Sequence, residues 1–276
     1  FGSSSHFKAA LNPTELRVAQ LRCSAAMQTV GPPSVGEATS LISKRSEELT
    51  KDTSIDIRLG FVRKVYLILS TQLLATVILA TPLALAGKEF AIKNQWIFWV
   101  GIVIKISMLC VTHCARETMR TFPQNYAVLS VLTIGMSMVV GYISALYTWQ
   151  SVLLAAGLTC LVFVALTIYA WNTKTDFTGF GPYLFAAAMA FMLMGFAIMV
   201  MMMLGIAVPW LMMLYNLLGV LLFSCYIVFD TQMILGEYGG KENSFSIDDY
   251  CLAAIELYVD VIELFMFILR LTGDRK

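Results

Sequence analysis

The sequence predicts an all-α integral membrane protein built from seven transmembrane helices. Three observations carry this prediction. The 276-residue chain is 58% hydrophobic and 13% charged, with a mean hydropathy of +0.75, whereas soluble domains carry roughly 25% charged residues. No charged residue occurs from Thr121 to Thr173, and none from Phe177 to Phe229. Each of these stretches accommodates two helices of about 20 residues and the turn between them. The partner such a chain requires is the lipid bilayer. A net charge of +1, without a basic patch interleaved with aromatics, gives no reason to expect nucleic acid.

Residues 1–57 form a polar N-terminal region and residues 58–276 the membrane domain. The chain begins at Phe1, as a fragment or processed product would, and its early part is Ser-rich and mildly basic (Lys8, Arg17 and Arg22 against Glu15). That composition suits the remnant of an organelle-targeting segment, or an ordinary flexible tail. Asn12-Pro13-Thr14-Glu15 supplies an N-cap, a proline at the first helical position and a glutamate at N3, predicting a short helix to about Met27. Gly31-Pro32-Pro33 ends it, and a charged stretch runs from Lys44 to Asp52.

The first hydrophobic segment runs from about Val65 to Ala86, after Arg58, Arg63 and Lys64. The second runs from about Trp96 to His113 and contains Lys105. The third and fourth divide near Thr148-Trp149-Gln150, the fifth and sixth near Ala207-Val208-Pro209, and the seventh runs from Tyr250 to Leu271. With the N-terminus inside, the inner loops hold Arg116, Arg120, Lys174 and Lys241, and the outer loops only Lys88 and Lys93. The positive-inside rule therefore places the N-terminus in the cytoplasm, or in the matrix of a mitochondrion. Arg270, Arg275 and Lys276 pull the other way; they emerge outside if the seventh segment spans, and inside if it re-enters. Seven full spans is the reading adopted.

Thr133, Ser137, Gly141 and Ala145 repeat every four residues along the third segment, a stripe that lets helix backbones approach closely. The methionines between Met189 and Met213 read as fillers of irregular apolar gaps. Of six cysteines, four lie well inside apolar segments and Cys251 near the start of the last, as small hydrophobes and not as a disulfide framework. Cys110, His113 and Cys114 neighbour one another on a helix. A structural zinc site needs four ligands, however, and the only other histidine is His6, so no resident metal is expected. Catalytic triads and nucleotide-binding fingerprints are absent, so no enzyme activity is expected.

The strongest functional clue is acidic. Glu256, Asp260 and Glu263 fall at i, i+4 and i+7 of the last segment, on one helix face. Asp230 closes the segment before it. Each intramembrane carboxylate costs at least ~2.5 to 3.5 kcal/mol on insertion scales, so such residues usually face a cavity and serve function. Antiparallel neighbouring helices would bring Asp230 and Asp260 to similar depth, where two carboxylates cannot easily both ionise and titrate as a unit. Such a pair suits a pH sensor or a site for a hard cation such as calcium. The bland alternative is an acid ion-paired to Lys105, Arg116 or Arg120 to fix helix packing. For Glu256 and Glu263, extra acids on the ion pathway compete with groups near helix ends touching water. An aspartyl-protease dyad is disfavoured because no Gly-x-Gly-Asp motif surrounds either aspartate.

Several stretches carry a family resemblance. Ile57-Arg58-Leu59-Gly60-Phe61-Val62-Arg63-Lys64-Val65-Tyr66, Arg120-Thr121-Phe122-Pro123-Gln124-Asn125 and Thr173-Lys174-Thr175-Asp176-Phe177-Thr178 occur in order. Phe229-Asp230-Thr231-Gln232, Ile247-Asp248-Asp249-Tyr250 and Ala254-Ile255-Glu256-Leu257-Tyr258-Val259-Asp260 follow. Together they resemble the Lifeguard branch of the Bax-inhibitor family over about residues 57–273. The resemblance implies a seven-helix bundle with the C-terminal helix central among the other six, a pH-sensitive calcium leak and suppression of cell death. It also implies an intracellular membrane, ER or Golgi; the processed-looking start suggests the inner mitochondrial membrane instead. Asp230 and Asp260 match the family's paired aspartates, and Arg116 and Arg120 are the nearest matches to a basic residue that locks the closed state. The chain departs from the family pattern at Glu256 and Glu263, where neutral amides are usual. A rival reading makes the protein a non-conducting subunit of a larger organellar membrane complex.

Overall fold

The computed structural model describes residues 35–276 apart from Ala207, with side chains from Ile55 onward except those of Arg116, Glu237 and Tyr238. The short helix expected from Asn12 to Met27 lies outside the described residues. The chain divides into two units, Phe1–Ser54 and Ile55–Lys276; of the first, residues 35–54 are helical. In the second, α1 occupies Ile55–Lys93. There follow α2 (Trp96–Cys114), the short α3 (Arg116–Arg120), α4 (Gln124–Ala145), α5 (Trp149–Asn172), α6 (Gly181–Met203), α7 (Pro209–Leu235) and α8 (Tyr250–Thr272). Single 3-10 turns precede α6, follow α7 and precede α8. The fold is all-α, with no strand among the described residues.

The turns fall where the residues dictate. Thr148 caps α5 by accepting from the Ser151 amide, and prolines open α6 and α7 near their first turns, where a missing N–H is no loss. α1 outlasts the predicted Ala86 because the chain passes Gly87 at φ 84°, a conformation glycine adopts freely, and then resumes helix to Lys93.

Among the described residues, six helices are long and apolar enough to cross a membrane: α1, α2, α4, α5, the Thr178–Met203 segment that contains α6, and α7. The seventh expected span, α8, falls outside that set because Glu256, Asp260 and Glu263 interrupt it. Instead it is the most enclosed helix: from Cys251 to Leu269 nearly every residue is buried. Every long neighbour touches it. Thr76 of α1 hydrogen-bonds Tyr258 (2.7 Å) and Asn125 of α4 donates to the Tyr250 hydroxyl (3.1 Å). Lys105 of α2 pairs with Glu263. Phe191 of α6 and Tyr215 of α7 pack on Phe267, and α5 lies alongside as well. The C-terminal helix is thus central.

α8 also runs the full length of the bundle. At its start, Tyr250 meets Asn125 and carries Lys64 over its ring. Beyond its end, the Asp274 carbonyl accepts from Thr148, the Lys276 amide donates to Leu146, and Lys88 donates to the Lys276 carbonyl. The C-terminus therefore closes against the α4–α5 turn, at the end opposite Tyr250.

At the Tyr250 end, loops are tied to helix ends by charge. The Arg58 guanidinium donates to the carbonyls of Met233 (2.7 Å), Leu235 (3.2 Å) and Phe245 (2.7 Å). Two of these belong to the last turn of α7, whose carbonyls have no partner within the helix, and Gly236 turns the chain away at φ 54°. A side chain at Gly236 would collide with that guanidinium, at 2.6 Å. Charge-assisted bonds are worth about 1.5–3 kcal/mol each, with partial solvent compensation, so Arg58→Ala should destabilise by about 2–4 kcal/mol. Denaturant unfolding in detergent measures this.

Beside that clamp, Lys241, almost fully buried, donates to the carbonyls of Thr173 (3.0 Å) and Thr175 (2.8 Å). The Asp176 carboxylate accepts from the Thr178 amide and hydroxyl and from the Glu242 amide. Burial works against the charged Asp176, but these donors and the Lys241 charge outweigh it and hold the carboxyl below its usual range. The folded-state pKa is depressed, so this stabilisation is complete above about pH 4, near the unfolded value, and is lost as pH falls through the lowered folded value. Melting temperatures between pH 2 and 6 should show this loss in the wild type, and Asp176→Asn should be less stable at pH 6 and lack that component.

The small-residue stripe of α4 is a packing surface: Thr133, Ser137, Gly141 and Ala145 are all buried, and a Cβ on Gly141 would meet the Ala80 carbonyl at 3.0 Å. The methionines differ from expectation. α6 has no buried residue, and Met189, Met192, Met199, Met202 and Met203 face outward with Met213 of α7. A helix apolar on every side gives no periodicity that separates a lipid-facing surface from a packed one.

Candidate functional site

α7 and α8 run antiparallel, with Gly219 in the first half of α7 against Phe267 near the end of α8. This brings Asp230, a turn and a half before the end of α7, against Asp260, midway along α8. The two side chains are 3% and 5% exposed and close enough to interact directly. Ionised carboxylates only accept, so the two can hydrogen-bond each other only with a proton on one of them. Asp260 Oδ2 has no partner among the described residues. An unsatisfied buried acceptor is a place for a proton or a cation to bind.

The other acids of α8 extend above and below the pair. Glu256, half-buried, lies one turn toward Tyr250, and Glu263, 9% exposed, lies about one turn toward the C-terminus. Glu263 is ion-paired with Lys105 of α2, so it neither touches water at a helix end nor stands alone. Tyr226, one turn before Asp230 on α7, donates its hydroxyl to the Leu184 carbonyl (3.0 Å). Beyond Glu263 an aromatic cluster closes the bundle: Phe267 packs on Phe191, Tyr215 and Phe223 with ring centroids 5.5, 5.7 and 5.6 Å away. Gly219 lies flat on the same ring, where a Cβ would sit 2.7 Å from it.

Of the basic residues expected near the aspartates, Arg120 and Lys105 meet other acids. Arg120 binds Asp249 through two bonds of 2.7 and 2.9 Å at the Tyr250 end of the bundle. Eleven helical steps, about 16 Å, separate Asp249 from Asp260. Lys105 is held by Glu263. The Arg116 side chain lies outside the described residues. Cys110, His113 and Cys114 end α2 on its exposed side, and among the described residues no metal-binding group of three or more His, Cys, Asp or Glu forms.

Sequence reasoning missed two features. One is the Arg58 clamp, since an arginine before a membrane helix signals orientation and says nothing of distant carbonyls. The other is a polar thread through the interior: Gln72 donates to Thr133 (3.2 Å), and Thr76 donates to the Gln72 carbonyl while bonded to Tyr258. Gln72 and Thr76 at i and i+4 of an apolar segment, with Tyr258 two residues before Asp260, were the available signal.

Residues 58–276 match the sequence profile of the family described as Inhibitor of apoptosis-promoting Bax1. The chain is 31% identical over 221 residues to Protein lifeguard 3 of Homo sapiens, covering 79% of this chain and 70% of that protein. It is 29% identical over 222 residues to Protein lifeguard 3 of Mus musculus, with the same coverage. Protein LIFEGUARD 4 of Arabidopsis thaliana is 33% identical over 236 residues, covering 83% of this chain and 90% of that protein.

Proposed function

The chain belongs to the Bax-inhibitor family, in its Lifeguard branch, and from that premise we propose that it is a pH-gated, calcium-permeable leak of an intracellular membrane. It is an integral membrane protein of a family linked to apoptosis regulation; calcium release is the route by which we propose it acts there. In this reading α8 is the seventh crossing. The Arg58 and Arg120 end of the bundle faces the cytoplasm, or the matrix if the membrane is mitochondrial, on the positive-inside argument.

The observation that supports this most is the buried pairing of Asp230 with Asp260, whose Oδ2 has no partner among the described residues. With a proton between them, the two carboxyls hold α7 and α8 together. As pH rises and that proton leaves, two like charges face each other in a low-dielectric interior, with Glu256 and Glu263 adding negative charge from α8 and Lys105 compensating Glu263 from α2. The repulsion is relieved by admitting a cation, or by moving α8 away from α7 and loosening the Phe267 seal. Hard oxygen ligands favour calcium. The pair therefore acts as both sensor and gate, and leak increases with pH.

Purified protein in liposomes loaded with a calcium indicator tests this: calcium entry that rises with pH supports the reading. Entry no faster than in empty liposomes at every pH rejects it.

A further inference from the structure

We infer that the bundle binds a hydrocarbon chain of a bilayer lipid in a lateral cavity that reaches the central helix just beyond Asp260. The cavity holds about 350 Å³ between α1, α4, α5 and α8, inside the roughly 300–1,000 Å³ range of ligand pockets. This inference rests on the membrane character of the protein and not on calcium conduction.

Three properties identify the occupant. The first is chemistry. The hydroxyls of Thr76, Thr81 and Thr159 on the wall donate to the carbonyls of Gln72, Val77 and Ala155, each within its own helix. The remaining wall is dominated by alkyl and aromatic carbon. A water molecule needs two to four polar partners, and apolar cavities stay dry and take up hydrocarbon.

The second is shape. On α1 the wall extends from Leu73 to Ala84, and on α5 from Val152 to Phe163. Eleven helical steps cover about 16 Å, which matches one leaflet of a hydrocarbon core about 30 Å thick. The cavity lies in the half of the bundle toward the C-terminal end, so the leaflet is the one on that side.

The third is access. The rim residues Val77 and Leu153 are 63% and 61% exposed on faces of helices that cross the bilayer, so the cavity is continuous with the lipid-facing surface. Its floor is Val261, Ile262 and Phe265 of α8, and Phe265 is half-buried in a helix enclosed along most of its length. The first two follow Asp260 directly in the chain. A lipid chain seated there packs on the same helix that carries the acidic pair.

The test is photolabelling in phosphatidylcholine vesicles containing a phosphatidylcholine with a diazirine midway along one acyl chain, mapped by peptide mass spectrometry. The inference predicts label on the α8 peptide containing Phe265, well above that on the enclosed Leu252–Leu257 stretch. Ala156→Trp, on the exposed rim, should cut the Phe265 label about fivefold or more, because a filled cavity has no room for the chain. Label at the outward Leu193 and Phe196 of α6 should be unchanged. Ala84→Phe gives the same result if the tryptophan variant folds poorly. Phe265 label equal to that of Leu252–Leu257 in the wild type overturns the inference, as does label that persists undiminished in both filled variants.

Discussion

Replacing Glu263 with leucine lowers the stability of the bundle by about 3–5 kcal/mol, the usual effect of removing one partner from a buried ion pair. The cause is the group left behind. Lys105 sits ten residues into α2, a helix whose composition places it within the bilayer, and its ammonium has Glu263 as its salt-bridge partner. Without the carboxylate, Lys105 must lose its proton or drag water inward. The converse change, Lys105→Met alone, leaves Glu263 buried one turn from the Asp230/Asp260 pair and is comparably harmful. Replacing both together, with Lys105→Met and Glu263→Leu, restores stability to within about 1 kcal/mol of the wild type or above it, because apolar groups of similar volume avoid the desolvation of two charges. Unfolding of all four proteins in one detergent completes the cycle. If Glu263→Leu alone is as stable as the wild type, the pair does not hold α2 to α8.

Asp260→Asn abolishes the pH dependence of calcium leak. Two unit charges about 4 Å apart at an effective dielectric constant of about 20 repel by about 4 kcal/mol, enough to shift a two-state equilibrium by two orders of magnitude or more. An amide keeps a hydrogen bond to Asp230 while removing that repulsion and one cation ligand. Leak in the variant should vary less than about twofold over a pH range in which the wild type varies about tenfold or more. Asp230→Asn should do the same, and the double variant should add nothing, since each single change already dissolves the pair. Glu256→Gln, which leaves the pair intact, should retain the pH response at altered magnitude. Undiminished flux and pH dependence in Asp260→Asn would remove the pair from the mechanism.

Much of this was legible in the residues because membrane energetics are severe. Two long stretches without charge left little choice but paired helices, and the divisions at Thr148 and Val208 followed from local turn chemistry. Asp230 and Asp260 stood out because a carboxylate in a bilayer demands a reason. What could not be read was which charges meet. Lys105 and Glu263 lie 158 residues apart, and nothing local distinguishes Lys105 from Arg120 as a partner; the depth of each along its helix decides, and depth depends on how the helices stack. The lipid-facing side of α6 was equally hidden, because a helix apolar all round carries no signature of its surroundings. Arg58 shows the same limit from the other direction, since its three carbonyl acceptors exist only once α7 has ended beside it.

The proton proposed to lie between Asp230 and Asp260 can be followed directly. Infrared difference spectra of the reconstituted protein, recorded across pH with isotope-labelled aspartate, report the C=O stretch of a protonated aspartic acid. A protonated-aspartate band should disappear with the same pH midpoint at which calcium leak rises, and that titration should be missing in Asp260→Asn. A titrating aspartate band that survives in Asp260→Asn and Asp230→Asn, or whose midpoint differs from that of the leak, would contradict gating by that pair.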